Sequence, residues 1–279
     1  MLAPAEPSPA AEAAGAAAAA PAGAAEVVST DLLLAEVTGS AGTLAGIAAT
    51  ADLTTTVPTC PDWTLRQLIT HVGRAHRWAA AIVATQAAEP IPFREVPDGR
   101  LPDDPAKQPA WVRDGAARLA EAVTTGSGPV WTHLGPGAPS YWARRMAHET
   151  AVHRADGEIA VGTRPEIDPV VAADGIAEWL GFLPAVQAAE RPERPAILPD
   201  GKVAHFHVTD EGVDGEWLIR GVPGGVAVET GHGKGDLALR GPASAILLVL
   251  LRRLPPDDPA VEVIGDRSLL DAWLAATPF

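Results

Sequence analysis

The hydrophobic period of this sequence changes once, near residue 192, and this change limits the folds that the chain can adopt. Before it, apolar residues recur at helical spacing; after it, the stretch VAHFHVTD at 203–210 alternates as a strand does, and further short strand segments follow with Gly turns between them. The helical segments before the change lie at about 31–51, 65–85, 110–123, 141–160 and 169–180. Long helices joined by loops are typical of an antiparallel bundle, so we expect a helical bundle followed by an α+β unit.

Composition divides the chain into three parts. Residues 1–28 are mostly Ala, Pro, Gly and Glu and contain no basic residue, so we expect a disordered tail rather than a secretory signal. We expect residues 29–191 to form the helical bundle and residues 192–279 to form the α+β domain. The Pro/Arg/Glu-rich stretch at 188–202 marks the boundary between them.

Charge and cysteine content exclude several classes of protein. The net charge of −14 makes binding to nucleic acid or to an anionic membrane surface unfavourable. No apolar run approaches the roughly 18 to 20 residues of a membrane span. The single cysteine, Cys60, permits no internal disulfide, which fits a reducing cytoplasm. We do not expect Cys60 to be a catalytic nucleophile, because no His lies beside it in the sequence.

Residues 144–158, RRMAHETAVHRADGE, contain the strongest chemical signal. They do not match the zinc-protease pattern H-E-x-x-H, because the residue four positions after His148 is Val152. Glu149 and His153 do lie four apart and therefore share one helix face. A catalytic zinc ion takes three protein ligands and keeps one open position, so a third ligand has to come from elsewhere.

His71 is the best candidate for the third ligand. It lies two turns into the second predicted helix and flanks the apolar stripe, and a bundle core is a known setting for metals held by facing helices. Spacing alone still favours a simpler interpretation. In that interpretation Glu149 and His153 are a helix-surface pair, which Arg145 can join, and His71 is a hydrogen-bonded core residue.

Several stretches resemble the mycothiol-dependent maleylpyruvate isomerase family. Residues 57–80, VPTCPDWTLRQLITHVGRAHRWAA, resemble its second-helix signature, and residues 144–158 resemble its fourth-helix signature; weaker matches lie at 205–220, 239–253 and 261–266. The resemblance implies a DinB-like four-helix bundle followed by a small α+β domain shaped like sterol carrier proteins. It also implies that His71, Glu149 and His153 bind zinc or another divalent metal. The family's cleft-facing arginine falls on Arg253, and the adjacent Arg252 leaves that alignment open by one position.

The implied function is a zinc- and mycothiol-dependent isomerase or S-transferase. In such an enzyme a metal-bound thiolate attacks an electrophilic small molecule, maleylpyruvate or another, at a cleft between the domains, and Arg253 holds an anionic group of the thiol or the substrate. We expect a cytoplasmic monomer or homodimer. Two alternatives remain open, namely a metal-assisted hydrolase or natural-product tailoring enzyme on the same scaffold, and a non-catalytic metal-binding protein.

His205 and His207 lie on one face of a predicted strand. They could form a second metal site. The pattern favours a solvated face or a domain interface instead.

Overall fold

The computed structural model describes residues 28–189 and 196–277. The expected disordered tail, apart from Val28, lies outside the described residues. The chain divides into two compact units, a helical unit at Val28–Ile167 and a sheet unit that begins at Asp168. The composition of the sequence places this boundary near residue 192 instead. The difference arises because helix α5 (Pro169–Ala189) packs against elements of the sheet unit, helix α6 (Ala243–Leu250) and strand β5 (Gly225–Thr230).

Four long helices build the helical unit, as their apolar periods predict. They are α1 (Thr30–Thr50), α2 (Leu65–Ala84), α3 (Gln108–Thr125) and α4 (Ser140–Ala160). Helices α1 and α2 each pack on both α3 and α4. The core between them is apolar and closely packed; its fully buried side chains include Leu44, Leu68, Ile82, Leu119 and Trp142.

Helix α1 is, among the described residues, the one helix long and apolar enough to cross a membrane by length and composition alone. The sequence prediction concerns unbroken apolar runs, and this helix is interrupted by Asp31, Glu36 and several Thr, Ser and Gly residues. Half of the most apolar stretch of this helix is buried inside the protein, where Val37, Ala41 and Leu44 lie in the helical core. Its apolar character is thus explained by packing against α3 and α4.

The start of α2 is fixed by a capping box. The Thr64 side chain accepts a hydrogen bond from the Gln67 amide, and the Gln67 side chain accepts one from the Thr64 amide at 2.9 Å. Two amides that the first helical turn leaves without partners are satisfied in this way. The T-x-x-Q pattern predicts this start, and the structure confirms it.

A short ribbon precedes α2 where the sequence indicates only a break. Strands β1 (Thr56–Val57) and β2 (Cys60–Thr64) pair antiparallel, and β2 leads directly into the helix. The ribbon packs beside α4 and α2. It therefore brings Thr59 and Cys60 close to the middle of the helical unit.

In the described part of the sheet unit, five strands pair in the order β5-β4-β3-β6-β7. The other strands are β3 (Val203–Val208), β4 (Glu216–Val222), β6 (Leu237–Gly241) and β7 (Glu262–Gly265). All neighbours are antiparallel except β3 and β6, which are parallel. Helix α7 (Arg267–Ala276) closes the unit, and its Trp273 meets Phe206 of β3 with ring centroids 5.1 Å apart.

Helix α6 ends earlier than its apolar pattern predicts. The apolar stretch PASAILLVLLRRL at 242–254 predicts a helix that continues to Leu254, whereas α6 ends at Leu250 and Arg252 adopts a left-handed backbone conformation with φ of 62°. This reversal separates the two adjacent arginines. Arg252 is exposed, and Arg253 is buried.

Candidate metal centre

The three predicted ligands lie together between α2 and α4. The Nε2 atom of His71 lies 3.0 Å from Oε1 of Glu149, and the Nε2 atom of His153 lies 3.3 Å from the same oxygen. One ligand atom of each residue lies within 4.8 Å of the others. Two imidazole nitrogens and one carboxylate oxygen therefore converge on one point.

Helix geometry explains this convergence. Glu149 and His153 stand one turn apart on α4, and His71 reaches them from α2, which packs on α4. The side chains are 17% exposed for His71, 23% for Glu149 and 9% for His153. The cluster is therefore shielded, but it is not closed to a small molecule.

The pKa values show how tightly these groups are coupled. Burial alone would raise the pKa of the Glu149 carboxyl, but hydrogen bonds with His153 and His71 hold it well below its usual range. Burial lowers the pKa of His71. Burial also opposes a charge on His153, yet hydrogen bonds with Asp156 and Glu149 raise its pKa to about 9. Glu149 is thus an anion that lies between two imidazoles. Its negative charge stabilises a cation placed among the three side chains.

Asp156 is a buried neighbour of the cluster that the sequence reasoning missed. Its Oδ2 atom lies 2.9 Å from Nδ1 of His153, and its side chain is fully buried. A carboxylate on one ring nitrogen of a histidine orients the other nitrogen toward a metal. The sequence feature that could have indicated this contact is spacing, because Asp156 follows His153 by three residues on the same helix.

The β1–β2 ribbon holds Asp156 in place. The Thr59 hydroxyl donates to Oδ1 of Asp156, and Sγ of Cys60 lies 3.7 Å from Oδ2. Cys60, His153 and Asp156 form a further donor group within 4.8 Å. The half-buried thiol therefore lies beside the pair of Asp156 and His153.

Arg145 occupies the other side of Glu149. Its Nη2 atom donates to Oε2 of Glu149 at 2.9 Å, so the pairing suggested by their spacing is confirmed. This contact leaves Oε1, the oxygen that faces both imidazoles, directed toward the cluster. The guanidinium thus fixes the rotation of the carboxylate.

Aromatic rings line one side of the cluster. The centroid of Trp63 lies 4.9 Å from that of His71 and 5.8 Å from that of His153, and Phe93 lies 5.8 Å from His71. These half-buried rings form an apolar lining on that side. Electrostatic interactions beside such a lining are stronger than in bulk solvent.

The donor set fits an ion of the zinc class. Zinc binds His nitrogen and carboxylate oxygen at about 2.0–2.2 Å, and two ligand atoms of a tetrahedral ion lie about 3.3 Å apart. The spacings of 3.0 and 3.3 Å from Glu149 to the two histidines are close to this value. Three protein ligands also leave one tetrahedral position for another molecule.

Arg253, the predicted cleft-facing arginine, lies in the sheet unit just after α6. It is 7% exposed, and its Nη1 atom donates to the Leu251 carbonyl at 2.8 Å. The side chain of Arg252 instead donates to the Thr277 carbonyl at 2.9 Å. Of the two arginines, Arg253 is the buried residue and Arg252 the exposed one.

Comparison with known proteins places the chain in a family. The model of the mycothiol maleylpyruvate isomerase N-terminal domain matches residues 33–157, and the model of the C-terminal domain of the same isomerase matches residues 170–272. The chain belongs to the mycothiol-dependent maleylpyruvate isomerase family. The gap between the two family domains coincides with the division of the structure at Ile167 and Asp168.

Two solved structures are similar to this member of the isomerase family. They are crystal structures of the mycothiol-dependent maleylpyruvate isomerase and of a histidine-to-alanine mutant of it. Each has a TM-score of 0.47 and 12% sequence identity, and each match covers 85% of this chain and 93% of the other. No curated protein matches the chain.

Proposed function

We propose that this protein is a cytoplasmic, metal- and mycothiol-dependent isomerase or S-transferase that acts on a small electrophilic molecule. One observation carries the proposal. The side chains of His71, Glu149 and His153 converge within 4.8 Å in a chain whose family is named for a mycothiol-dependent isomerase. Maleylpyruvate is one substrate to test, and zinc is the first metal to test.

In this proposal His71, Glu149 and His153 hold the metal ion. When bound, a zinc ion lowers the pKa of a thiol that enters its open position, so that a thiolate is available near neutral pH. The chain contains a single thiol, that of Cys60, and this thiol lies against Asp156. The reacting sulfur is therefore supplied by a small thiol, for which the family name indicates mycothiol.

The surrounding residues have positioning roles. Asp156 holds the His153 ring so that Nε2 faces Glu149, and Arg145 fixes the Glu149 carboxylate. Trp63 and Phe93 line one side of the cluster. Because these groups already hold the ligand side chains in position, the side chains need to move little when a metal ion or a substrate binds.

Arg253 is proposed to bind an anionic group of the thiol or the substrate. A guanidinium is always charged and presents paired donors that match a carboxylate. Its burial supports the proposal, because a hydrogen bond to a charged group gains strength away from water.

A metal-assisted hydrolase is the second candidate. It is favoured by the donor types themselves, since two histidines and one glutamate also hold zinc in hydrolytic enzymes. The two candidates differ in their need for thiol. A hydrolase works without mycothiol, an S-transferase consumes it, and an isomerase needs it but regenerates it.

The decisive experiment measures turnover and thiol consumption with maleylpyruvate and other electrophiles, with and without mycothiol and a chelator. The matched variants are Glu149→Gln and Glu158→Gln. Both glutamates lie on α4 and pair with the arginine four residues earlier, at 2.9 Å and 2.7 Å respectively. We expect only Glu149→Gln to abolish activity and metal binding at the cluster of His71, Glu149 and His153. Turnover that is independent of thiol would favour the hydrolase, and full zinc content in Glu149→Gln would overturn the ligand assignment.

A further inference from the structure

A second cluster of metal-binding side chains lies in the sheet unit. His205 and His207 stand two residues apart on β3, and Glu216, the first residue of β4, pairs directly with His207. His232 follows the end of β5. One ligand atom from each of the four residues lies within 4.8 Å of the others.

Glu216 is at the centre of this cluster. Its carboxylate oxygens lie 2.7 Å from Nδ1 of His207, 3.1 Å from Nδ1 of His232 and 4.0 Å from Nε2 of His205. The three rings are arranged edge to face around it, with centroids 5.4 to 6.1 Å apart. Three imidazole nitrogens therefore approach one anion from different directions.

His205 supplies a second, independent observation. The residue is 5% exposed, and its Nε2 atom makes no hydrogen bond with any residue that the structure describes. That atom lies 4.0 Å from Glu216, beyond hydrogen-bond reach. Buried polar atoms are normally satisfied, so a nitrogen directed at three other donor groups indicates a missing ligand.

We propose that His205, His207, Glu216 and His232 bind one divalent cation of the zinc class. Imidazole donors select zinc, nickel, cobalt or copper over magnesium and calcium, which prefer oxygen ligands. Four protein ligands are typical of a structural site, in contrast to the three of the candidate metal centre.

The strands and the loop contribute differently to this site. Strand β3 is the middle strand of the sheet, so His205 and His207 are held firmly, whereas the His232 side chain is 77% exposed on the segment that joins β5 to β6. Of the three distances to the Glu216 carboxylate, only the 4.0 Å to His205 exceeds the roughly 3.3 Å that a tetrahedral ion requires, so ion binding would draw Glu216 and His205 together while His232 adapts to them. Binding would attach this segment to the centre of the sheet.

The test measures how many zinc ions each full-length chain binds, using protein without an affinity tag. The protein is saturated with zinc, unbound zinc is removed by dialysis, and the bound zinc is counted by mass spectrometry. We expect two ions per chain in the wild type, one in Glu149→Gln, one in His207→Asn and none in the double variant. A wild type with one ion that Glu149→Gln retains and His207→Asn loses would support this site while contradicting the proposed catalytic metal. Zinc content that is the same in His207→Asn and the wild type would overturn the second site.

Two loop variants guard against misfolding as an explanation. His232→Ala and Lys234→Ala change exposed side chains of the same segment. In the Glu149→Gln background, we expect His232→Ala to weaken zinc affinity by at least about tenfold and Lys234→Ala to leave it unchanged. Equal affinity in the two variants would remove His232 from the ligand set and overturn the four-ligand site.

Discussion

At the scale of single residues, Asp156 determines how firmly His153 is held. It binds Nδ1 of that ring and is itself held by Thr59 and Cys60 of the β1–β2 ribbon. Sequence reasoning found the three converging side chains but not this support. A carboxylate three residues away on a helix has many possible partners, and only the packed ribbon shows which one Asp156 takes.

Replacing Asp156 by Asn tests this support. We expect metal affinity to fall by about 10- to 100-fold, because the His153 ring loses the charge that orients it while all three proposed ligands remain. Competition with a fluorescent zinc chelator measures the change. The Asn variant is close in size, and an unchanged affinity would show that Asp156 serves packing only.

Cys60 gives a contrasting prediction. Cys60→Ser keeps a donor next to Asp156 but removes the only thiol of the chain. We expect the rate with mycothiol to stay near that of the wild type, as measured by initial rates at saturating thiol. Loss of turnover with full metal content would instead make Cys60 a reacting group.

The adjacent arginines form a natural matched pair. Arg253→Gln should reduce kcat/KM by roughly 10- to 100-fold, because a hydrogen bond to a charged group contributes about 1.5–3 kcal/mol. Arg252→Gln should have little effect, since that side chain binds the Thr277 carbonyl. Steady-state kinetics measure kcat/KM for both variants. A larger decrease in kcat/KM for Arg252→Gln than for Arg253→Gln would assign the anion-binding role to Arg252.

At the scale of elements, the sequence predicted helices better than anything else. The ends of α1 to α4 lie within about two residues of their predicted positions, because apolar period and capping residues are local signals. The β1–β2 ribbon was missed, since a two-residue strand beside prolines has no alternation to detect. The sequence also did not indicate that α5 belongs to the sheet unit. This assignment depends on the packing of α5 against α6 and β5, which the apolar period of a helix does not reveal.

The capping box of α2 provides a stability test at this scale. Thr64→Ala should lower the free energy of unfolding by about 1 kcal/mol, because it leaves the Gln67 amide without its partner. Thr85→Ala, which alters the other end of the same helix, is the control and should cost less. Urea unfolding monitored by circular dichroism measures both variants, and equal losses would contradict a specific capping role.

At the scale of the whole molecule, one buried histidine links stability to pH. His76 is fully buried, and its Nε2 atom lies 2.8 Å from the Thr150 hydroxyl, which donates to the Met146 carbonyl. Nε2 therefore carries the proton, and Nδ1 has no partner. Burial, reinforced by the charge of Arg77, lowers the pKa of His76 to about 3.

The sign of the effect follows from proton uptake. Below about pH 6.5 the unfolded chain protonates His76 while the folded chain does not, so stability falls as the pH falls toward 3. We expect a loss of about 2 kcal/mol between pH 7.5 and pH 5 from this residue. His76→Gln should remove that part of the slope in urea unfolding. An equally steep loss in the variant would assign the acid sensitivity to other groups.

The strand order also affects how the chain is made. Strands β3, β4 and β5 follow one another in sequence and pair as neighbours, but the other edge of β3 is covered only by β6, in parallel. A ribosome releases residues 203–230 before residues 237–241, so a nascent three-stranded meander exposes the backbone of β3 for a time. Unpaired edges of this kind invite pairing between copies. Rapid translation through the β5–β6 segment would thus protect newly made molecules from aggregation.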